Sequence, residues 1–139
     1  MKENQNTSKP LASMMASNKI QEKIEKVLIG DRKYLDKEYS AKKLAAELGT
    51  NTRYISEIIR DRFHCNFALL VNSYRIRDAM RMLEDPQYRD KSVEEIAHMA
   101  GYTNRQTFYN AFHRIARTTP RKYRMEQGNL RQQAKAKGQ

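Results

Sequence analysis

The sequence predicts an all-α fold, seven short helices forming two helix-turn-helix subdomains joined by a linker helix. Three observations carry this. Apolar residues recur at helical spacing, while Gly (5) and Pro (3) are too sparse for a turn-dense β fold. A Ser, Asn, Asp or Thr suited to capping a helix stands before most of the apolar stripes. One helix–glycine–asparagine–helix pattern occurs twice.

The elements follow in chain order. Residues 1–17 are polar and aperiodic, and read as a flexible N-terminal tail or linker remnant. Ile20, Ile24, Val27 and Leu28 form the stripe of an amphipathic helix that Gly30-Asp31 stops. Ser40 caps a short helix carrying Leu44, Ala45 and Leu48 and ended by Gly49. Asn51 caps the next, with Ile55, Ile58 and Ile59 inward. Asn66 precedes a longer helix bearing Phe67, Leu70, Val71, Tyr74, Ala79 and Leu83, closed by Asp85-Pro86. Ser92 and Glu95 make a capping-box pattern ahead of Ile96 and Ala100, and Gly101 ends that helix. Asn104 caps a helix with Phe108, Ala111, Phe112 and Ile115 inward. Thr119-Pro120 opens the last one, through Tyr123. The organisation expected is a tail over 1–17, a first helix-turn-helix subdomain plus linker helix over 18–84, a second over 85–127, and a flexible basic tail over 128–139. Tyr34, Tyr39 and Tyr54 read as core-edge residues with hydroxyls in water.

The repeat is steric in origin. Ser40-x3-Leu44-Ala45-x3-Gly49 recurs as Ser92-x3-Ile96-Ala97-x3-Gly101 at an offset of 52, and Asn51, Ile55, Ile59 align with Asn104, Phe108, Phe112 at 53. Ala45 and Ala97 are small where two helices cross closely. Gly49 and Gly101 suit the positive φ of a tight turn. Each unit is thus a helix, a glycine turn, a capping asparagine and a second helix.

Charge points to the partner. Twenty-seven Lys+Arg against sixteen Asp+Glu give a net +11, as expected of a chain that meets polyanions. No acid lies between Glu95 and Glu126, a stretch holding Arg105, Arg114, Arg117, Arg121, Lys122 and Arg124. A solvated helical face normally mixes signs. Residues 40–64 carry net +2 and residues 92–124 net +4, so the second unit is expected to supply more electrostatic affinity. The longest apolar run, Phe67 to Val71, is too short to span a bilayer, and no membrane contact by this segment is expected. The single Cys65 excludes an internal disulfide and points to a reducing, intracellular compartment. His64-Cys65, His98 and His113 do not make a metal-ligand pattern. No nucleophile–base–orienter or phosphate-loop pattern appears, so no enzyme, no cofactor and no metal are expected.

A resemblance rests on Ser40 to Gly49 with Asn51-Thr-Arg-Tyr-Ile-Ser-Glu-Ile-Ile59, on Arg75-Ile76-x2-Ala79-x2-Met82-Leu83, and on the run Ser92 to Tyr102. Phe108-x3-Phe112 and Thr119-Pro-Arg-Lys-Tyr-Arg124 complete it. Over about residues 20–124 the chain resembles the DNA-binding domain of the AraC/XylS family of transcriptional regulators. His64 stands where that family usually has glycine, and Ile59 replaces a usual Phe. The resemblance implies seven helices, two helix-turn-helix units on a rigid linker helix, and transcriptional regulation. It implies promoter or operator double-stranded DNA as partner, activation through RNA polymerase, and a bacterial cytoplasmic protein at the nucleoid when bound. Many relatives carry a separate sensor or effector domain, of which residues 1–17 would be the linker stub.

The groove chemistry then names residues. Two recognition helices about 34–36 Å apart would enter successive major grooves, where each base pair presents its own donor and acceptor pattern. The resemblance puts Arg53, Ser56 and Glu57 at base-facing positions of the first helix. On the second, the inward set leaves Arg105, Gln106, Tyr109 and Asn110 outward. Arginine suits guanine, and Gln106 and Asn110 suit adenine. Glu57 either accepts from a cytosine amino group or orients Arg53 or Arg60. Phosphate contacts are expected from the helix starts at Asn51 and Asn104 and from Arg60, Arg114, Arg117 and Lys122. Arg75 either bridges the linker helix to a helix-turn-helix unit or meets phosphate. A basic helical protein-interaction module and a non-specific nucleic-acid binder remain alternatives.

Overall fold

A computed structural model of the chain describes residues 11–138. These form seven α-helices and no strand: α1 Leu11–Glu25, α2 Ala41–Glu47, α3 Thr52–Phe63, α4 Phe67–Glu84, α5 Val93–Met99, α6 Arg105–Ala116 and α7 Pro120–Lys137. A π-helical turn, Lys26–Gly30, prolongs α1, and 3-10 turns occupy Lys33–Leu35 and Pro86–Tyr88.

Local chemistry sets the helix boundaries. Ser40, Asn51, Ser92, Asn104 and Thr119 each accept a backbone N–H of the first turn through the side chain, satisfying a donor that has no partner within the helix. Ser92 and Glu95 close both arms of the capping box, at 3.0 Å each. Asn66 accepts from Leu69 N at 2.8 Å ahead of α4. Asp85, in extended geometry before Pro86, ends α4 and caps the next turn through Gln87 N.

Contacts divide the described chain into two compact units. The first joins residues 11–33 to 38–70, and the second joins 34–37 to 71–138. In the first, α3 packs on α1 and α2. Ile24, Val27, Leu28, Leu44, Ala45, Ile55, Ile58, Ile59 and Leu70 are buried, and the Tyr39 and Phe67 rings lie 6.3 Å apart. In the second, α6 packs on α5 and α7 around a core of Ile76, Ala79, Leu83, Val93, Ile96, Ala97, Ala100, Tyr102, Phe108, Ala111 and Phe112. Phe108 anchors it through ring contacts with Tyr102, Tyr109 and Phe112 at 5.3–5.8 Å.

Four expectations change. Residues 11–17 lie in α1, because Leu11, Ala12, Met14, Met15 and Ala16 are strong helix formers even without a periodic core face; residues 1–10 fall outside the described residues. Residues 128–137 continue α7 for the same reason, being rich in Leu, Arg, Gln, Ala and Lys. The linker helix, expected with the first subdomain, instead buries Ile76, Ala79 and Leu83 of α4 in the core of the second. Tyr34 and Tyr39 are buried, and the Tyr34 hydroxyl donates to Asp78 instead of meeting water.

Candidate nucleic-acid interface

The α2–α3 and α5–α6 pairs are two builds of one device. After α2, Thr50 N donates to Ala45 O at 2.9 Å and Gly49 N to Ala46 O at 3.2 Å; after α5, Tyr102 N donates to Ala97 O at 3.0 Å and Gly101 N to His98 O at 3.1 Å. Both are Schellman closures, which need a left-handed residue at the glycine. Gly49 has φ +69° and Gly101 φ +100°. Asn51 then accepts from Tyr54 N at 2.8 Å, and Asn104 from Thr107 N at 3.0 Å. Both α3 and α6 end on a left-handed residue, His64 at φ 57° and Arg117 at φ 60°. The repeat therefore runs past the residues that revealed it.

In the first unit, Asn51, Arg53, Glu57 and Arg60 are exposed and Ser56 is half-buried, opposite the buried Ile55, Ile58 and Ile59. Arg53 Nε lies 3.4 Å from Glu57 Oε1, with the arginine side chain 90% exposed. Glu57 thus contacts Arg53 from one helical turn along the same helix. His64 takes the αL conformation that glycine would adopt without strain, so the departure from the family pattern leaves the helix end intact.

In the second unit, Asn104, Arg105, Gln106, Asn110, Arg114, Arg117 and Lys122 are exposed. Gln106 Nε2 donates to Asn110 Oδ1 at 2.9 Å, one helical turn apart, so the two exposed carboxamides are linked. Arg105 is held on two sides. Its Nε lies 3.4 Å from Glu94 Oε1, and its guanidinium sits 5.0 Å from the Tyr109 ring centre. Tyr109 is half-buried rather than fully outward. Its hydroxyl is buried without a hydrogen-bond partner, and its ring packs edge-on against Phe108. What Tyr109 presents outward is a ring face under an arginine, not a hydroxyl. The amides at the starts of α3 and α6 carry the positive end of each helix dipole.

Arg75 turns out to be structural. Its Nε donates to Tyr34 O at 2.7 Å and its Nη2 to Asp36 O at 3.0 Å, and the guanidinium lies 5.5 Å from the Tyr102 ring centre. Burial lowers its pKa, with Tyr102 and then Asp36 opposing; burial raises that of Tyr102, with Arg75 opposing. The Tyr102 hydroxyl donates to Asn72 Oδ1 at 2.6 Å. These bonds fix the 34–37 segment, α4 and the α5–α6 turn as one body, and the Lys37 ammonium adds a 2.7 Å contact to the His98 ring.

Two residues escaped sequence reasoning. Asp78 is buried, paired with Tyr34 and Arg81, and only its place on the inward stripe of α4 signalled this. Glu94 engages Arg105, and nothing in the spacing announces that. Among the described residues no group of three His, Cys, Asp or Glu could hold a metal ion, and no helix is long and apolar enough to cross a membrane.

A family model described as a helix-turn-helix domain matches residues 44–126. Three solved structures share the fold. A Listeria innocua protein of unknown function is 25% identical, with a TM-score of 0.63 over 73% of this chain and 94% of that one. The C-terminal domain of the two-component response regulator yesN from Fusobacterium nucleatum is 24% identical, with a TM-score of 0.62 over 78% and 97%. The C-terminal domain of AraT, a response regulator from Geobacillus stearothermophilus, is 20% identical, with a TM-score of 0.63 over 84% and 86%. No curated protein sequence matches the chain.

Proposed function

The chain belongs to the AraC-type helix-turn-helix family of DNA-binding transcription regulators, and from that premise we propose that it binds a specific double-stranded DNA site as a regulator's output domain. In this reading α3 and α6 enter successive major grooves. Arg53, Ser56 and Glu57 face bases from α3, and Arg105, Gln106, Tyr109 and Asn110 do so from α6. The observation that carries the reading is the matched pair of recognition helices. Each is asparagine-capped, closed by a left-handed residue, buried on one face and polar on the other, with an arginine in its first turn. A protein-binding hairpin needs no such duplication of register.

Phosphate contacts fall to the capped helix starts at Asn51 and Asn104 and to Arg60, Arg114, Arg117 and Lys122. They fix orientation, while the grooves carry sequence. Two units on one chain read an asymmetric site without a dimer. Activation through RNA polymerase and an accompanying sensor or effector domain follow from the family's habit. Binding in the bacterial cytoplasm, at the nucleoid, belongs to the same reading.

The test is enrichment from a randomised duplex pool. The reading expects two conserved segments about 10 base pairs apart, bound with an affinity that falls steeply with salt. Enrichment of nothing, or equal affinity for every duplex, overturns it. Tight binding to an acidic protein without salt-sensitive DNA affinity would instead establish the interaction module.

A further inference from the structure

Arg105 has a partner that the helix repeat does not account for. The first turn of α5 carries two acids, Glu94 and Glu95. Glu95 closes on Ser92 N at 3.0 Å and is consumed by the capping box. Glu94 reaches across to α6 instead, its Oε1 3.4 Å from Arg105 Nε, with the two side chains 44% and 64% exposed. The Tyr109 ring supports the same guanidinium at 5.0 Å. A cleft of about 150 Å³ opens beside the pair, lined also by His98, Thr103 and Phe108. No further acid follows until Glu126, so Glu94 is the one carboxylate of α5–α6 not taken up by a cap. The first unit reaches the same pairing by a different route, Arg53 Nε to Glu57 Oε1 at 3.4 Å within α3.

We propose that Glu94 is a specificity-determining positioning residue for DNA recognition, a role that rests on the DNA-binding function proposed above. It holds Arg105 by Nε over the Tyr109 ring and aims the terminal Nη edge outward, the edge that grips guanine O6 and N7. It also places a negative charge where a phosphate would otherwise capture the guanidinium. An exposed ion pair biases an equilibrium by no more than about fivefold. A bidentate guanine contact is worth about 5- to 150-fold in discrimination. The carboxylate therefore yields to the right base, and its charge disfavours a phosphate beside the same guanidinium by a comparable few-fold factor.

The experiment compares the full chain with Glu94→Gln, Glu94→Asp, Glu95→Gln, Arg105→Ala and the Glu94→Gln/Arg105→Ala double variant. Fluorescence anisotropy at several salt concentrations follows binding to three probes. These are the duplex that the wild-type chain enriches from a randomised pool, its single G·C to A·T variants, and a random-sequence duplex. Glu94→Gln should bind the random duplex about two- to fivefold more tightly and lose discrimination at one G·C pair by a similar factor. Glu94→Asp keeps the charge but falls short of Arg105, so it should lose discrimination without gaining affinity for random duplex. Glu95→Gln removes the same charge one residue away while preserving the capping box, and should leave discrimination as in wild type. In the Arg105→Ala background, Glu94→Gln should no longer alter discrimination at that pair. The inference fails if Glu94→Gln leaves discrimination unchanged at every G·C pair, if Glu95→Gln lowers it equally, or if the effect survives without Arg105. A wild-type chain that enriches no duplex overturns the DNA-binding reading itself, a result distinct from these three.

Discussion

Gly49 and Gly101 occupy the same position of the repeat, yet alanine should cost different amounts at the two. At Gly49, φ is +69° and a Cβ would meet nothing within 4 Å. The cost is the left-handed conformation alone, about 1–2 kcal/mol, offset by the lower chain entropy of unfolded alanine to about 1 kcal/mol net. At Gly101, φ is +100° and the added carbon would sit 3.1 Å from Arg75 Nε, 3.1 Å from Tyr34 O and 3.3 Å from Leu35 O. Two of those atoms are partners in the 2.7 Å hydrogen bond that ties α4 to the 34–37 segment. A methyl group there separates them, adding about 1.5–3 kcal/mol for a charge-assisted bond and bringing the total to about 2.5–4 kcal/mol. At this chain length about 1 kcal/mol moves the melting temperature by ~3 °C, so Gly49→Ala should lower it by ~3 °C and Gly101→Ala by ~7–12 °C. Circular dichroism melts and urea midpoints measure both. A double-mutant cycle isolates the cause: in an Arg75→Ala background, Gly101→Ala should cost less than it does alone. Equal losses at the two glycines, or no coupling to Arg75, would refute the reasoning.

Other perturbations test separate parts of the structure. His64→Gly should raise stability by up to about 1 kcal/mol, since φ 57° strains a side chain that glycine lacks; a thermal melt reads it. Arg117→Gly relieves the same strain at φ 60° while removing a proposed phosphate contact, so stability should rise as DNA affinity falls for all sequences alike. Removing Arg114 and Arg117 should flatten the salt dependence of DNA binding more than removing Arg53 and Arg60, by about 0.9 log unit per log unit of salt for each phosphate lost; the reverse order would contradict the charge asymmetry. Tyr123 is pushed up from 10.0 to about 12, by burial first, then by its hydrogen bond to Glu84 and the charge of that carboxylate. A raised folded-state pKa contributes stability that is full below pH 10 and is lost as pH climbs through about 12. Urea midpoints should therefore fall across that window, and Tyr123→Phe should flatten the fall.

The helix starts and stops were legible because capping is local. A serine or asparagine side chain reaches a backbone N–H three residues on, and a glycine closes the turn within six residues, so Ser40, Gly49, Asn51, Ser92, Gly101 and Asn104 announced themselves. The extents of α1 and α7 were harder to read. Their outer turns lack a buried stripe, and helix propensity without periodicity is a weak signal in a polar segment. The arginines of the candidate site stood out as types, but their surroundings did not. Arg53 has a partner four residues along its own helix, a spacing that sequence can suggest, whereas Arg105 is met from another helix, eleven residues back.

By itself, then, the sequence determined the order of helices, their caps, the duplicated turn and the polar outer faces, because each depends on neighbours within about one helical turn. Tertiary structure alone decided that Ile76, Ala79 and Leu83 of α4 join the second core, that Asp78 is buried against Tyr34, 44 residues away, and that Arg75 is held by the Tyr34 and Asp36 carbonyls. Those outcomes depend on which distant surfaces lose their water together, and a buried carboxylate or guanidinium can be accommodated only where a partner brought by the fold satisfies it.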